Sequence, residues 1–256
     1  MSSPFTDVMM RNMTSTSTSS TAPSRRERAR RATLEEIKST ALDLMREQGT
    51  TDVRFTDIAR VMGMTPPALY RYYGDRDELL TELIVDGYGV LGDRIADALR
   101  PLADDDVAGR WVAAATAYRN WASSEPQQFA LILGMPVPGY VAPDEGPTTE
   151  AAKAAMSQLA GLFVAAARAG QLRAPLITEV SLAVTECEKS KHGELVGIIP
   201  PESFQAMIHT WATLHGFVSL ESYGHFDWLE PDAREELFRG HIRLAAQAAG
   251  LPVPAR

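Results

Sequence analysis

The chain has 256 residues, of which 45% are hydrophobic, and its formal net charge is −8. This composition excludes disorder throughout, and no apolar run approaches the roughly 20 residues of a membrane span, so we expect a cytoplasmic protein without a membrane partner. The single cysteine, Cys187, excludes an intrachain disulfide, and no Cys or His pair has structural-zinc spacing, so we expect neither a metal nor a cofactor.

The charge is divided unevenly along the chain. Residues 1–73 carry 11 basic and 8 acidic side chains, whereas residues 74–256 carry 14 and 25. A mildly basic head on an acidic body would present one face to a polyanion and repel it elsewhere. Such a split also arises incidentally from solvated surfaces, so it indicates nucleic-acid binding only together with a motif.

Residues 1–24 are rich in Ser and Thr and have no apolar periodicity, which predicts a disordered tail. The basic run SRRERARRA follows and includes Arg25 and Arg26. Two interpretations of this run stay open. It is either a solvated stretch of charge or a basic arm that reaches the backbone or the minor groove of DNA.

The first helix is predicted from Thr33, because Thr33 and Glu36 have the spacing of a capping box. An apolar stripe of helical period follows it until Gly49, which can end a helix. After a short link, a second and shorter helix is predicted from Phe55 until Gly63. The two helices are therefore expected to lie close together along the chain.

The third helix is predicted directly after Gly63. Thr65 is a good N-cap, and Pro66 suits the first helical position, where its missing N–H has no helical partner. This helix is expected to continue until Gly74. Asp75 then caps a long fourth helix, which ends before Pro101.

The chain beyond residue 101 is also helical in pattern, with no convincing alternation of strand type. Further helices are predicted near 105–124, 126–133, 148–170, 176–195, 201–222 and 231–249, and the segment 134–147, rich in Pro and Gly, is predicted to be a loop. The fold class is therefore predicted to be all-α. A three-helix head over 25–76 is joined by a long helix to a C-terminal helical bundle within 77–256.

Two short helices separated by a tight turn at Gly63 have the geometry with which a recognition helix enters a major groove. Ala59 would brace Leu69, which leaves the other face of the second helix exposed. The Tyr-Arg-Tyr sequence at 70–72 would offer hydroxyls to phosphates and one guanidinium to a guanine edge. The alternative is that these aromatic side chains fill the core of a small bundle.

The sequence FTDIARVMGMTPPALYRYYGDRDELL resembles the DNA-binding signature of the tetracycline-repressor (TetR) family, and the resemblance covers about residues 33–84. It implies contacts with the DNA backbone from Arg54, Thr56, Thr65, Tyr70, Tyr72 and Arg76. It implies contacts with base edges from Pro66, Pro67, Ala68 and Arg71. The sequence departs from the family pattern at Tyr72 and Tyr73, where His and Phe are common, and at Arg76, where Lys is common.

Nearer the C-terminus, WATLHGFVSLESYG resembles a C-terminal domain type of this family that is marked by a Trp, a His and a Gly. The resemblance implies that residues 77–256 form a ligand-binding and dimerisation domain. The dimer interface is expected on the helices near 201–222 and 231–249. Its predicted residues are Gly216, which permits close helix approach, together with Leu220 and Phe238.

A ligand pocket is predicted from aromatic and methionine positions that could line an apolar cavity: Trp111, Tyr118, Trp121, Phe129, Met135, Met156 and Phe163. The alternative is that these side chains only pack the core of the bundle. His215 also has two interpretations, as a ligand-binding residue or as a buried histidine that bonds a backbone carbonyl.

The leading hypothesis is a sequence-specific transcriptional regulator. It would bind double-stranded operator DNA as a homodimer, and an unknown small-molecule effector would release it. The alternatives are a helical-bundle enzyme and a protein-interaction module without DNA binding. An enzyme is disfavoured because the sequence holds no Gly-rich phosphate loop, no zinc spacing and no nucleophile-elbow pattern.

Overall fold

The computed structural model describes residues 24–142 and 145–253. Within these residues the chain is all-helical, as predicted, and no strand occurs. The helices are α1 (Arg25–Gln48), α2 (Phe55–Val61), α3 (Pro66–Leu69), α4 (Arg76–Leu99), α5 (Val107–Ser124), α6 (Pro126–Leu133), α7 (Pro147–Arg168), α8 (Leu182–Lys191), α9 (Pro201–Ser222) and α10 (Pro231–Ala249). No helix among them is long and apolar enough to cross a bilayer. Except for Ser24, the predicted tail lies outside the described residues.

Helix α1 begins earlier than predicted, and the expected start at Thr33 was wrong. Its capping box is formed by Ser24 and Glu27, whose side chains each bond the other's backbone N–H, at 3.2 and 2.6 Å. The Thr33 hydroxyl instead donates to the carbonyl of Ala29, as a threonine inside a helix can. The basic run therefore lies in the first turns of α1.

The two short helices α2 and α3 are joined by a turn in which Gly63 has a φ of 64°, a conformation that favours glycine. Thr65 and Pro66 begin α3 as predicted, although the Thr65 side chain makes no capping hydrogen bond. Regular helix ends at Leu69, and residues 70–72 form a turn. The recognition helix is thus shorter than its sequence pattern indicated.

The first hydrophobic cluster lies in the N-terminal head, which comprises α1 to α3 and the start of α4. Leu69, Ala59 and Ile37 are fully buried there. The same cluster contains Leu131 of α6 and Val137 of the loop after α6. The head is therefore packed on the body and shares part of its core with it.

The second cluster forms the core of the body, where α4, α5, α7, α9 and α10 pack together. Its largest buried side chains are aromatic, and Trp111, Trp121 and Phe163 are each at most 2% exposed. The indole N–H of Trp111 donates to the carbonyl of Ile242 at 2.8 Å, which ties α5 to α10. Aromatic packing and this hydrogen bond hold the bundle around α5.

The predicted helix 176–195 was wrong in its first third. Residues 171–181 form a non-helical strap beside α10, where the N–H groups of Arg173 and Leu176 donate to the carbonyls of Gly250 and Ala248 at 2.9 and 2.8 Å. Helix α8 starts only after Ser181, whose side chain caps it. Because these backbone groups of the strap bond a distant part of the chain, they do not need helical hydrogen bonds.

Candidate nucleic-acid interface, ligand cavity and dimer face

The candidate reading surface lies on α3 and the turn after it. Leu69 is fully buried, and Tyr70 is 54% exposed on the outer side. The other exposed residues of this surface are Thr65, Pro66, Pro67 and Arg71, and Ala68 and Tyr72 are half-buried. The structure therefore brings together, on one short exposed element, all seven residues that the sequence placed there.

The Tyr70 ring is held against the bracing helix, since its centroid lies 5.1 Å from that of Phe55. Tyr73, by contrast, is buried, and its hydroxyl donates to Glu82 at 2.6 Å. Burial and the nearby Glu82 carboxylate raise the pKa of Tyr73. Tyr73 therefore anchors the turn to α4, while Tyr70 keeps its hydroxyl at the surface.

Arg30 of α1 contacts the end of the reading surface, a contact that the sequence analysis missed. Its guanidinium donates to the carbonyl of Arg71 at 3.2 Å and lies 5.2 Å from the centroid of the Tyr72 ring. The spacing along α1 could have indicated this contact. Arg30 precedes the buried Ile37 by seven residues and so lies on the same side of the helix.

Arg76 is engaged within the protein. Its guanidinium donates to the carbonyl of Val53 at 3.1 Å, to that of Pro138 at 3.3 Å and to the carboxylate of Asp52 at 2.7 Å. The side chain is only 25% exposed. These three bonds make Arg76 a link between the head and the loop after α6, and the phosphate contact that the resemblance implies for it stays a prediction.

The remaining predicted DNA contacts lie on exposed helix starts. Arg54 is the N-cap of α2 and Thr56 lies in its first turn, and both are exposed. Arg25 and Arg26 are exposed in the first turn of α1. All four polar side chains are thus accessible to a phosphate backbone.

A small apolar cavity of about 40 Å³ lies inside the body. Of the seven predicted ligand-binding residues, Trp111, Tyr118 and Met156 line it. The other lining residues are Ile95, Ala114, Ala115, Ala155, Gln158, Leu159, Leu162, Trp211 and Leu214. None of them is charged, so the cavity suits an uncharged group.

The other four predicted ligand residues have different surroundings. Trp121, Phe129 and Phe163 are fully buried in the core and do not line this cavity, as the packing alternative foresaw. Met135 is 83% exposed in the loop after α6, so its placement in a pocket is corrected. It follows Gly134, where α6 ends, and precedes Pro136, so it lies beyond the helix that would have directed it inward.

Tyr118 connects the cavity to a polar chain. Its hydroxyl bonds Nδ1 of His215 at 2.8 Å, and Nε2 of His215 bonds the Ser219 hydroxyl at 3.3 Å. Trp211 stacks on the His215 ring at 5.3 Å. Burial lowers the pKa of His215 and raises that of Tyr118, so both groups are neutral near neutral pH. The two ring nitrogens of His215 thus bond side-chain hydroxyls and not a backbone carbonyl.

An outward face of α9 and α10 carries apolar side chains. Leu220, Leu237 and Leu244 are 44%, 51% and 62% exposed, and the space above Gly216 is open. Phe238 instead points inward and is 2% exposed, with its ring 5.5 Å from that of Phe217. The predicted contact of Phe238 with a second copy is therefore corrected, since its own chain already covers it.

Arg119 of α5 ties this face to the core. Its guanidinium donates to Glu221 of α9 at 2.6 Å and to Glu235 of α10 at 2.5 Å. It also lies 4.4 Å from the centroid of the Phe238 ring. The hydrogen bond from Arg119, together with its charge, lowers the pKa of Glu235. The two helices of the outward face are thus held at a set distance from α5, which lines the cavity.

Comparisons with known proteins match both parts of the chain. A family model of bacterial regulatory proteins of the tetR family matches residues 37–83, and one of the tetracyclin repressor-like C-terminal domain matches residues 111–245. HTH-type transcriptional regulators Rv1816 of Mycobacterium tuberculosis and Mb1846 of Mycobacterium bovis are each 33% identical over 206 residues, 77% of this chain and 85% of theirs. The crystal structure of regulatory protein SCO4313 is 33% identical, with a TM-score of 0.66, over 88% of this chain and 98% of that chain.

Proposed function

The chain belongs to the TetR family of bacterial regulatory proteins and is a DNA-binding transcriptional regulator, and we propose that it is a homodimeric repressor that a small molecule releases from its operator. In this proposal the head binds DNA, and residues 77–256 form the ligand-binding and dimerisation domain. The protein acts in the cytoplasm, where its DNA is, and is not an enzyme.

One observation carries the DNA-binding part of the proposal. The reading surface exposes Tyr70 and Arg71 directly after a short helix that opens with Thr65 and Pro66, beyond the turn at Gly63. This is the arrangement with which a recognition helix lies in a major groove. Arg71 is assigned to a base edge and Tyr70 to a phosphate, because a guanidinium can address guanine at two atoms and a phenol cannot.

The backbone contacts are assigned to exposed residues around this surface. Arg54 and Thr56 lie at the start of α2, where helical N–H groups also favour a phosphate. Arg25 and Arg26 extend the surface along the first turn of α1. Arg76 is left out of this set, since its guanidinium bonds three groups of the protein.

We propose that the outward face of α9 and α10 is the dimer interface. Exposed apolar side chains on two neighbouring helices suit a four-helix contact with a second copy. In the corrected set Leu237 and Leu244 join Gly216 and Leu220, and Phe238 supports them from within. A two-fold dimer would place two recognition helices about 34 Å apart, which predicts a near-palindromic operator.

The effector site is proposed at the uncharged cavity beside Trp111, Tyr118 and Met156. In the present conformation about 40 Å³ holds no more than a small group, so an effector must widen the cavity. Trp211 and Met156 also line a groove of about 720 Å³ between α7 and α9. Movement of either side chain would join the two spaces, and the buried part of the effector would be uncharged.

A mobility-shift experiment tests the proposed function. The purified protein is titrated onto a fragment of its own promoter, and footprinting then gives the protected sequence. We expect a protected near-palindrome and loss of tight binding when one half is scrambled. No retarded complex with this DNA, or equal binding of a single half-site, would count against a dimeric repressor of its own gene.

The cavity has a separate test. Ala114 lines it, so Ala114→Leu would fill the space without adding charge. We expect this variant to bind the operator normally and to lose release by any effector that acts on the native protein. A variant that is still released would place the effector elsewhere.

A further inference from the structure

We propose that Arg30 is a positioning residue that sets the specificity of the reading surface by holding the backbone of Arg71. The starting observation is that regular α3 ends at Leu69, so Tyr70, Arg71 and Tyr72 follow it in a turn. Their N–H groups bond carbonyls of α3, at 3.3 Å for Tyr70 and Arg71 and at 2.9 Å for Tyr72. A helix of only four residues does little to stabilise the turn that follows it.

The Arg71 carbonyl is one of the carbonyls of this turn that accept no backbone hydrogen bond within the part of the chain that the structure describes. No backbone N–H among the described residues donates to it, as is usual for carbonyls at the end of a helix. The Arg30 guanidinium supplies the donor at 3.2 Å, from a helix that lies 41 residues earlier in the chain. A cation is also favourable at this end of a helix, where the carbonyl dipoles point.

A second contact of Arg30 acts on the next residue. Its guanidinium lies over the Tyr72 ring, at 5.2 Å from the centroid, within the distance of a cation–π interaction. The two contacts fix the residue that is proposed to read a base and the ring that follows it. They depend on the planar guanidinium, which can donate and stack at once, whereas a lysine ammonium matches the charge alone.

The early start of α1 is what makes these contacts available. Because the Ser24 and Glu27 box begins the helix two turns before the expected point, Arg30 lies in regular helix and is carried to α3. Arg26 lies one turn earlier on the same helix and is exposed. In this proposal two arginines of the basic run have different roles. Arg26 neutralises a phosphate, and Arg30 orients Arg71.

The test uses charge-conserving variants and rests on the proposed assignment of Arg71. Arg30→Lys and the control Arg168→Lys, at an exposed arginine in the last turn of α7 that has no assigned DNA contact, are titrated by fluorescence anisotropy onto three duplexes. These are the footprinted promoter site, the same site altered at the base pair that Arg71→Ala shows to be read, and a scrambled duplex. We expect Arg30→Lys to lower discrimination at that base pair by about threefold to tenfold. Affinity for the scrambled duplex and the salt dependence should change little, because the charge is kept, and Arg168→Lys should match the native protein.

A double-mutant cycle separates positioning from general stability. In the Arg71→Ala background, Arg30→Lys should have no further effect on discrimination, because the residue that it positions is gone. Unchanged discrimination in Arg30→Lys, or an equal loss on all three duplexes with a lower melting temperature, would overturn the proposal. If the native protein does not distinguish the duplexes, the proposed function itself fails, and that result is recognised before any variant is measured.

Discussion

The head and the body differ in where some of their aromatic side chains lie, although the head also buries Tyr73. The head packs aliphatic residues such as Leu69 and Leu80 inside and keeps Tyr70 and Arg71 at the surface. The body buries its aromatic rings, among them Trp111 and Trp121. The difference shows that the same residue types can lie on an exposed surface in one region and in a core in the other. Burial, and not residue type, decides which.

The two regions meet along α6 and the loop after it. The Tyr88 hydroxyl of α4 donates to the carbonyl of Ile132 at 3.0 Å, and the hydroxyls of Thr81 and Tyr140 are also 3.0 Å apart. Arg76 adds its bond to Pro138. A change in the body therefore has a direct contact path to the start of α4 and to the head.

The largest expected effect comes from the dimer face. Gly216→Arg should give a monomer of native helix content that has lost tight operator binding, because a packed two-fold contact would bury an unpaired charge twice. The monomer should still fold, since nothing lies within 4 Å of the added Cβ. Analytical ultracentrifugation measures the mass. Gly161→Arg is the control, because Gly161 is an exposed helical glycine with equally open space, and a dimeric Gly216→Arg would move the interface elsewhere.

The next effect concerns the head core. Leu69→Ala should lower the free energy of unfolding by about 2–5 kcal/mol, since it empties a fully buried site beneath the reading surface. Leu182→Ala on α8 should change it by less than about 0.5 kcal/mol, because that leucine is 75% exposed. Urea denaturation followed by circular dichroism compares the two. Similar losses in both variants would contradict the burial of Leu69.

Within the reading surface, substitutions of Arg71 and Tyr70 should have different effects on DNA binding. Arg71→Ala should lower discrimination at one base pair by about 1–3 kcal/mol, whereas Tyr70→Phe should weaken binding to all sequences alike. The phenyl ring keeps its packing on Phe55, so the second variant removes only the hydroxyl. Anisotropy titrations on single-base-pair variants of the operator measure both. Sequence-independent losses from both variants would count against Arg71 as a reader.

A substitution of Arg76 tests whether its side chain bonds only groups of the protein or also contacts a phosphate. Arg76→Gln should leave the slope of log affinity against log salt unchanged, because its guanidinium bonds Asp52, Val53 and Pro138. A phosphate contact would instead lower the slope by about 0.9. Titrations at several salt concentrations distinguish the two outcomes, and a fall of that size would restore the role that the resemblance implied.

The smallest effects are expected on α1. Arg25→Gln and Arg26→Gln should each lower the salt slope by about 0.9 if these exposed side chains neutralise phosphates. Arg168→Gln, at the exposed end of α7, removes the same charge from the body and should leave the slope unchanged. Equal slopes in all three variants and the native protein would leave the basic run as solvated charge.

Local signals in the sequence were sufficient to predict several turns and helix ends. Gly63 predicted the turn, Thr65 and Pro66 predicted the start of α3, and the bounds of α6, α9 and α10 were predicted to the residue. Each of these depends on backbone geometry and caps within a few residues. The all-α fold class followed from such signals along the whole chain.

Tertiary structure decided what depends on distant partners. The contact of Arg30 in α1 with the Arg71 carbonyl joins residues 41 apart in the chain. The strap 171–181 leaves helical form because it bonds the end of α10. Neighbouring residues on a helix differ in direction by about 100°, so which of Leu237 and Phe238 faces inward depends on what α10 packs against. For Arg76 the family resemblance implied a phosphate contact, whereas its bond to the loop after α6 depends on the folded chain.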